Sequence, residues 1–218
     1  MIEWFIRADI METVYIIDDD SSVRRSLARL VRDAGYGEEV FSSAEEFLAV
    51  CPESFSGPAC IVVDLQMPGL GGLEMQRRLN ERHGGTASCP LIFISGNGDI
   101  PATVQAMRQG AVTFLPKPFD EQDLLCAIAE GLATHRSLLA GAARTEELRS
   151  RIATLSPRER EVMARVITGA LNKQIAAELG IVEQTVKVHR ARVMGKMGVV
   201  SVAELVRGCD AAGFAAAG

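Results

Sequence analysis

The sequence predicts a doubly wound α/β domain followed by a small all-α domain. Three observations carry this. Short β-branched runs alternate with amphipathic helical patterns up to about residue 133. From Leu155 onward only helical patterns occur. Formal charge also changes sign: residues 1–150 hold 13 basic and 22 acidic side chains, whereas residues 151–218 hold 10 and 6. An acidic part joined to a basic part reads as two domains with different partners, nucleic acid being the natural partner of the second.

The first strand is Val14-Tyr15-Ile16-Ile17, which runs into three acids, Asp18-Asp19-Asp20. Val23, Leu27, Leu30 and Val31 then recur at helical spacing and stop at Gly35. A weak strand around Glu39-Val40-Phe41 leads to Ser42-Ser43-Ala44-Glu45-Glu46, where Ser43 and Glu46 have capping-box spacing. Ala59-Cys60-Ile61-Val62-Val63 is a buried strand that ends at Asp64 and is closed by Met67-Pro68-Gly69. The next helix carries Leu73, Met75 and Leu79. Leu91-Ile92-Phe93-Ile94 is a strand ending at Ser95-Gly96. A loop and a helix with Val104 and Met107 follow, stopping at Gly110. The last strand, Ala111–Leu115, enters Pro116-Lys117-Pro118-Phe119, and Asp120 caps a helix through Leu124, Leu125, Ile128 and Leu132. Five such β-α units fit a flavodoxin-like parallel sheet of strand order 2-1-3-4-5.

Residues 134–151 are rich in Ala, Arg and Glu, with Gly141 as the only breaker, and read as a partly helical linker. Ser156-Pro157-Arg158-Glu159 then combines a serine N-cap, Pro at the first helical position and Glu at N3. That helix runs to about Thr168-Gly169. Asn172 caps a second, Lys173–Leu179, which stops at Gly180. Ile181–Gln184 connects to a third through Met197, closed by Gly198, and Ser201 caps a fourth to about Cys209. Two short helices joined by a tight turn containing Gly match a helix-turn-helix.

Composition narrows the function. No apolar stretch approaches the ~20 residues of a membrane span, and the start lacks a basic region followed by a long apolar run. Cys51, Cys60, Cys89, Cys126 and Cys209 are scattered and contain no CxxC, so they read as small buried hydrophobes of a cytoplasmic protein. His83, His135 and His189 have no zinc-ligand spacing.

Ligands of an open parallel sheet bind at the carboxyl ends of its strands. Three acids, the Ser95 hydroxyl and Lys117 therefore meet at one edge. Clustered carboxylates repel and need a proton or a cation, and hard oxygen donors suit Mg²⁺. A carboxylate beside Mg²⁺ can attack a phosphoryl group and form an aspartyl phosphate. Metal and ammonium then offset charge on the phosphoryl oxygens. In this reading Asp64 is the nucleophile, Asp18 and Asp19 surround the metal, and Ser95 and Lys117 hold the phosphoryl oxygens.

This order resembles the receiver domain of two-component response regulators over about residues 12–133. The residues that carry the resemblance are Ile17-Asp18-Asp19-Asp20, Val63-Asp64-Leu65-Gln66-Met67-Pro68-Gly69, Ile94-Ser95-Gly96 and Phe114-Leu115-Pro116-Lys117-Pro118-Phe119. The resemblance implies that Asp64 accepts phosphate from a sensor histidine kinase. It implies Mg²⁺ ligation by Asp19, Asp64 and the main-chain carbonyl of Gln66, with Asp18 often acting through water. Asp20 is then a helix cap rather than a ligand. It implies a switch in which Ser95 moves toward the phosphate and Phe114 rotates inward; a phenylalanine there excludes a switch through a phenolic hydroxyl. The Lys117-Pro118 bond is usually cis in this family. Gln66 and Asn97 are either loop filling or set the lifetime of the phosphate by positioning water.

Leu155-Ser156-Pro157-Arg158-Glu159-Arg160-Glu161-Val162, Asn172-Lys173-Gln174-Ile175-Ala176 and Thr185-Val186-Lys187-Val188-His189-Arg190 resemble the four-helix DNA-binding domain of the LuxR/NarL/FixJ class. Gly98-Asp99-Ile100-Pro101 and Ala106-Met107 look most like its FixJ and StyR branches. The chain then divides into an extension (1–11), a receiver (12–133), a helical linker (134–152), a LuxR-type helix-turn-helix domain (153–212) and a tail (213–218). A helical wheel at 100° per residue puts Val186, Val193 and Met197 on the core side of the recognition helix. Gln184, Lys187, Val188 and Ala191 face the groove, flanked by Thr185 and Arg192. Lys187 can reach a guanine edge, and Val188 and Ala191 can touch thymine methyls. Lys173, Thr185 and Arg192 grip phosphates. Arg190 and His189 fall nearer the core. Some relatives carry a basic residue where Ala191 stands, which thins base readout there.

The expected whole is a cytoplasmic, phosphorylation-controlled transcription regulator rather than an enzyme. Its partners are double-stranded promoter DNA, RNA polymerase and a second copy of itself. Aspartyl-phosphate hydrolases share the chemistry, but place the nucleophile after the first strand in Asp-x-Asp and add a cap domain. Residues Met1–Ile10 read as a dispensable extension preceding Met11-Glu12-Thr13-Val14.

Overall fold

The computed structural model describes residues 11–52, 55–82, 89–96 and 100–214. The expectations for Met1–Ile10, His83, Asn97, Gly98 and Asp99 lie outside these residues. The described chain forms two compact units that meet between Ala140 and Gly141.

In the first unit, strands β1 (Thr13–Ile17), β2 (Gly37–Phe41), β3 (Ala59–Asp64), β4 (Leu91–Ser95) and β5 (Thr113–Pro116) alternate with helices α1 (Ser21–Asp33), α2 (Ala44–Val50), α3 (Gly72–Arg82), α4 (Ile100–Arg108) and α5 (Glu121–Ala153). The sheet is parallel, in the order β2-β1-β3-β4-β5. Helices cover both faces, so β3 and β4 are buried at every residue and read as unbroken apolar runs. One core joins Val14, Ile16, Val62 and Ile92 to Leu27 and Val31 of α1 and to Leu124, Ile128 and Leu132 of α5. The other joins Ile17, Ile61, Val63 and Phe93 to Phe47 of α2, Met75 and Leu79 of α3 and Ala106 of α4.

Several local expectations are corrected. Strand β5 begins at Thr113, not Ala111, because the Ala111 N–H closes the end of α4 on the Ala106 carbonyl (3.1 Å) and so leaves the ladder. Ser43 caps α2 by accepting from the Glu46 N–H (3.2 Å), but the Glu46 carboxylate accepts from the N–H and hydroxyl of Ser42 instead of closing the box on Ser43. The linker is not partly helical. It is the continuous second half of α5, because a single Gly in a helix costs only ~1 kcal/mol and its neighbours are strong helix formers.

In the second unit, α6 (Pro157–Ile167), α7 (Asn172–Leu179), α8 (Glu183–Met197) and α9 (Val202–Ala212) surround a core of Val162, Met163, Val166, Ile175, Val186, Val193, Met197, Leu205 and Cys209. Ile152 of α5 joins that core. Ser156 and Glu159 close a full capping box at α6. Asn172 is not the cap of α7 but its first residue; Leu171 occupies the cap position, and the Leu171 N–H donates to Gln174 Oε1 (2.7 Å). The Asn172 amide is engaged elsewhere, accepting from Arg190 of α8 (3.0 Å). Helix α8 starts at Glu183, two residues earlier than expected, and α9 continues to Ala212.

Candidate functional site

Strand register assembles the first site. Ile17 pairs with Val63, Asp64 with Ile94, and Ser95 with Pro116. The residues that leave each strand therefore emerge side by side. Asp18 follows β1, Asp64 and Ser95 close β3 and β4, and Lys117 follows β5. Asp18 and Ser95 are fully buried, Asp64 is 8% exposed and Asp19 is exposed. Lys117 Nζ donates to Asp18 Oδ2 (2.8 Å) and to Asp64 Oδ2 (2.9 Å). Burial alone pulls the Lys117 ammonium down. The hydrogen bonds and charges of Asp18 and Asp64 outweigh it and hold its pKa above the usual lysine value.

Main-chain groups fix the rest. The Lys117 N–H donates to the Ser95 carbonyl (2.7 Å), and the Lys117-Pro118 peptide is cis. Asp18 Oδ1 accepts from the Asp20 N–H (2.8 Å), and Asp64 Oδ1 from the Gln66 N–H (3.2 Å). Asp20 itself caps α1, accepting from the N–H and hydroxyl of Ser22, which holds its carboxyl below the usual range. Gly72 is required behind the site: a Cβ there would lie 2.7 Å from the Asp64 carbonyl oxygen. Phe114, opposite Phe93, is half-buried against the α2–α4 core.

The sequence reading missed Arg24. Its guanidinium donates to the Asp18 carbonyl (2.6 Å) and so fixes the peptide between Asp18 and Asp19. Its place one turn into the helix that follows the acids was the available signal.

The donor set fits a hard divalent cation. Asp18, Asp19 and Asp64 each bring an oxygen within 4.8 Å of the others. Three carboxylates against the one ammonium leave a formal excess of negative charge, which a small dication with oxygen ligands relieves.

The second candidate surface is α8. Val186, Val193 and Met197 are buried, as the helical wheel requires. Gln184, Lys187, Val188, Ala191, Arg192 and, on α7, Lys173 are exposed, and Thr185 is half-buried. Lys187 lies 3.5 Å from Glu183. No side chain caps α7 or α8, and Leu171 and Val182 at their cap positions are 67% and 69% exposed. The Leu171 N–H is taken by Gln174 Oε1, and the Gln174 and Thr185 N–H groups turn back to the Leu171 and Val182 carbonyls. The earliest N–H groups of each helix, those of Asn172 and Lys173 and of Glu183 and Gln184, are therefore the ones that can face an outside acceptor. Arg151 donates to the Met197 carbonyl (2.6 Å) at the other end of α8. Among the described residues no helix is long and apolar enough to cross a membrane.

Comparison with known proteins assigns a family to each of the two units. Residues 14–129 match the response regulator receiver domain, and residues 153–208 match the bacterial regulatory proteins of the luxR family. The chain is 45% identical over 200 residues to the response regulator protein TodT of Pseudomonas putida, covering 92% of this chain and 86% of that one. It is 41% identical over 202 residues to the transcriptional regulatory protein FixJ of Rhizobium meliloti, covering 93% and 97%. Among solved structures, the response regulator StyR superposes with a TM-score of 0.78 at 43% identity, covering 92% of this chain and 98% of StyR.

Proposed function

The chain belongs to the response regulators of two-component systems that join a receiver to a LuxR-type DNA-binding domain, on the FixJ branch, and from that premise we propose that phosphorylation of Asp64 controls promoter binding through α8. One observation carries the reading. A single ammonium bridges two buried carboxylates at aligned strand ends, one of which, Asp64, keeps an exposed edge.

In the step proposed, a carboxylate oxygen of Asp64 attacks the phosphorus of a phosphohistidine on the sensor kinase. The bond between phosphorus and the histidine nitrogen breaks, and the nitrogen leaves with the electron pair. Lys117 offsets charge on the transferred group, and the Ser95 hydroxyl donates to it. Mg²⁺ held by Asp19, Asp64, the Gln66 carbonyl and Asp18 would supply further positive charge at the same oxygens. Ser95 and Phe114 then act as the switch. Gln66 stands where it can govern how long the phosphate lasts.

For the output, Lys173, Thr185 and Arg192 grip phosphates, aided by the uncapped first turns of α7 and α8. Gln184, Lys187, Val188 and Ala191 read base edges. The Glu183 partner of Lys187 must be exchanged for DNA on binding. We assign the receiver to 12–133, the linker to 134–152 and the DNA-binding domain to 153–212, acting in the cytoplasm as a homodimer that engages RNA polymerase.

The test compares promoter binding by wild type and Asp64→Asn, each with and without a small phosphodonor and Mg²⁺. Tighter binding only for donor-treated wild type is expected. Equal affinity in all four conditions removes the switch.

A further inference from the structure

The contact between α3 and α4 holds an unbalanced set of hydrogen bonds. Gln76 of α3 is fully buried, and its Nε2 donates to the Ala106 carbonyl of α4 (3.1 Å). That carbonyl already accepts from the Gln109 N–H (3.1 Å) and the Ala111 N–H (3.1 Å), which close the helix before Gly110 at φ +91°. Three donors therefore converge on an oxygen with two lone pairs. The Gln76 Oε1 atom, equally buried, has no partner among the described residues, and neither has Gln109 Oε1. One turn on, Asn80 Nδ2 donates to the Gln109 carbonyl (3.1 Å). Two amides of α3 thus hold the last turn of α4, in an arrangement that a shift of the helix could improve.

The place of α4 in the chain gives this meaning. It joins β4, which ends at Ser95, to β5, which leads into Lys117. A displacement of Ser95 or of β5 has to be absorbed by α4. The bonds from Gln76 and Asn80 oppose that displacement, and the unmet Gln76 oxygen offsets part of their hold.

We propose that Gln76 is a positioning residue that, with Asn80, latches the end of α4 and holds the receiver in its unphosphorylated arrangement. The proposal rests on the reading of Asp64 given above. Gln76→Leu keeps the volume and removes both the bond and the unmet oxygen; Asn80→Ala removes the second bond at a half-buried site. The experiment measures amide hydrogen exchange of the full chain, with and without phosphodonor and Mg²⁺, beside the intact mass of each sample.

Without donor, exchange in residues 104–111 should quicken roughly fivefold in Asn80→Ala, as loss of one such bond implies, and by less in Gln76→Leu, where the unmet oxygen goes with the bond. It should approach the level of donor-treated wild type, while α1 and α5 stay unchanged and phosphoryl uptake persists. Wild-type exchange in residues 104–111 would overturn the latch, as would a uniform acceleration across the unit, which marks general loss of stability. If Gln76→Leu does not fold, Asn80→Ala decides by the same criteria. Failure of wild type to gain phosphate would refute the Asp64 reading instead, and the donor-free exchange would still judge the latch.

Discussion

The acid edge of the sheet and the outer face of α8 are built on opposite physics. At the sheet edge, Asp18, Asp64 and Ser95 are buried at their strand ends, and the partly exposed Lys117 ammonium satisfies both carboxylates. Each group is costly to leave unpaired there, so the site is rigid and sensitive to single changes. On α8, consecutive turns of one helix present exposed side chains whose ion pairs are screened by water. On the function proposed, the site that makes and breaks a covalent bond is the one held by partners, and the surface that fits a polyanion is the one whose cations are loosely held. Destructive substitutions should therefore cluster at the first site, and graded ones at the second.

The sharpest way to break this contrast is Lys117→Met. It leaves Asp18 and Asp64 without their shared partner, and phosphoryl uptake should slow about a hundredfold, as when one donor to a charged transition state is removed. A wild-type time course of uptake by mass spectrometry would end the distinction.

Within α8 itself, Val193→Ala removes a buried side chain and should cost about 2 kcal/mol of stability in chemical denaturation. Val188→Ala, at a site 42% exposed, should stay within about 0.5 kcal/mol yet weaken promoter binding. Loss of stability without loss of binding at Val188 would reassign it to packing.

Glu159 is the second unit's own buried acid. Its hydrogen bond to Lys196 (2.6 Å), then the Ser156 N–H, pull its pKa down to about 2 from the usual 4.5. A depressed pKa contributes stability that is complete above the unfolded value. That stability drains away as pH falls through about 4.5 toward about 2. Amide protection in α6–α9, measured against the intrinsic exchange rate at each pH, should fall across this window, and Glu159→Gln should flatten the fall. The smallest effect belongs to Arg192→Gln. The slope of log affinity against log salt should drop by about 1, equally for all DNA sequences. A loss confined to one sequence would move Arg192 from phosphate to base.

Much of this was legible in the sequence because strands buried on both faces advertise themselves as unbroken apolar runs. The polar residue that ends each run then had to sit at one edge. Caps at Asp20 and Ser156 were equally readable, since both lie next to the groups they satisfy. What could not be read was long-range polar pairing. Arg24 on the Asp18 carbonyl, Gln76 on Ala106, Asn172 with Arg190 and Arg151 on Met197 depend on which helix faces meet. No local spacing encodes that. The linker differs from expectation for a related reason: the Ala-rich turns around Gly141 carry the helix through it.

The central claim is that Asp64 captures a phosphoryl group. Intact-mass measurement of the full chain after treatment with a small phosphodonor and Mg²⁺, with the modified residue located after borohydride reduction, tests it directly. One phosphate on wild type at Asp64, and none on Asp64→Asn, is the expected result. An unmodified wild-type chain, or a phosphate carried at another residue, would contradict the account.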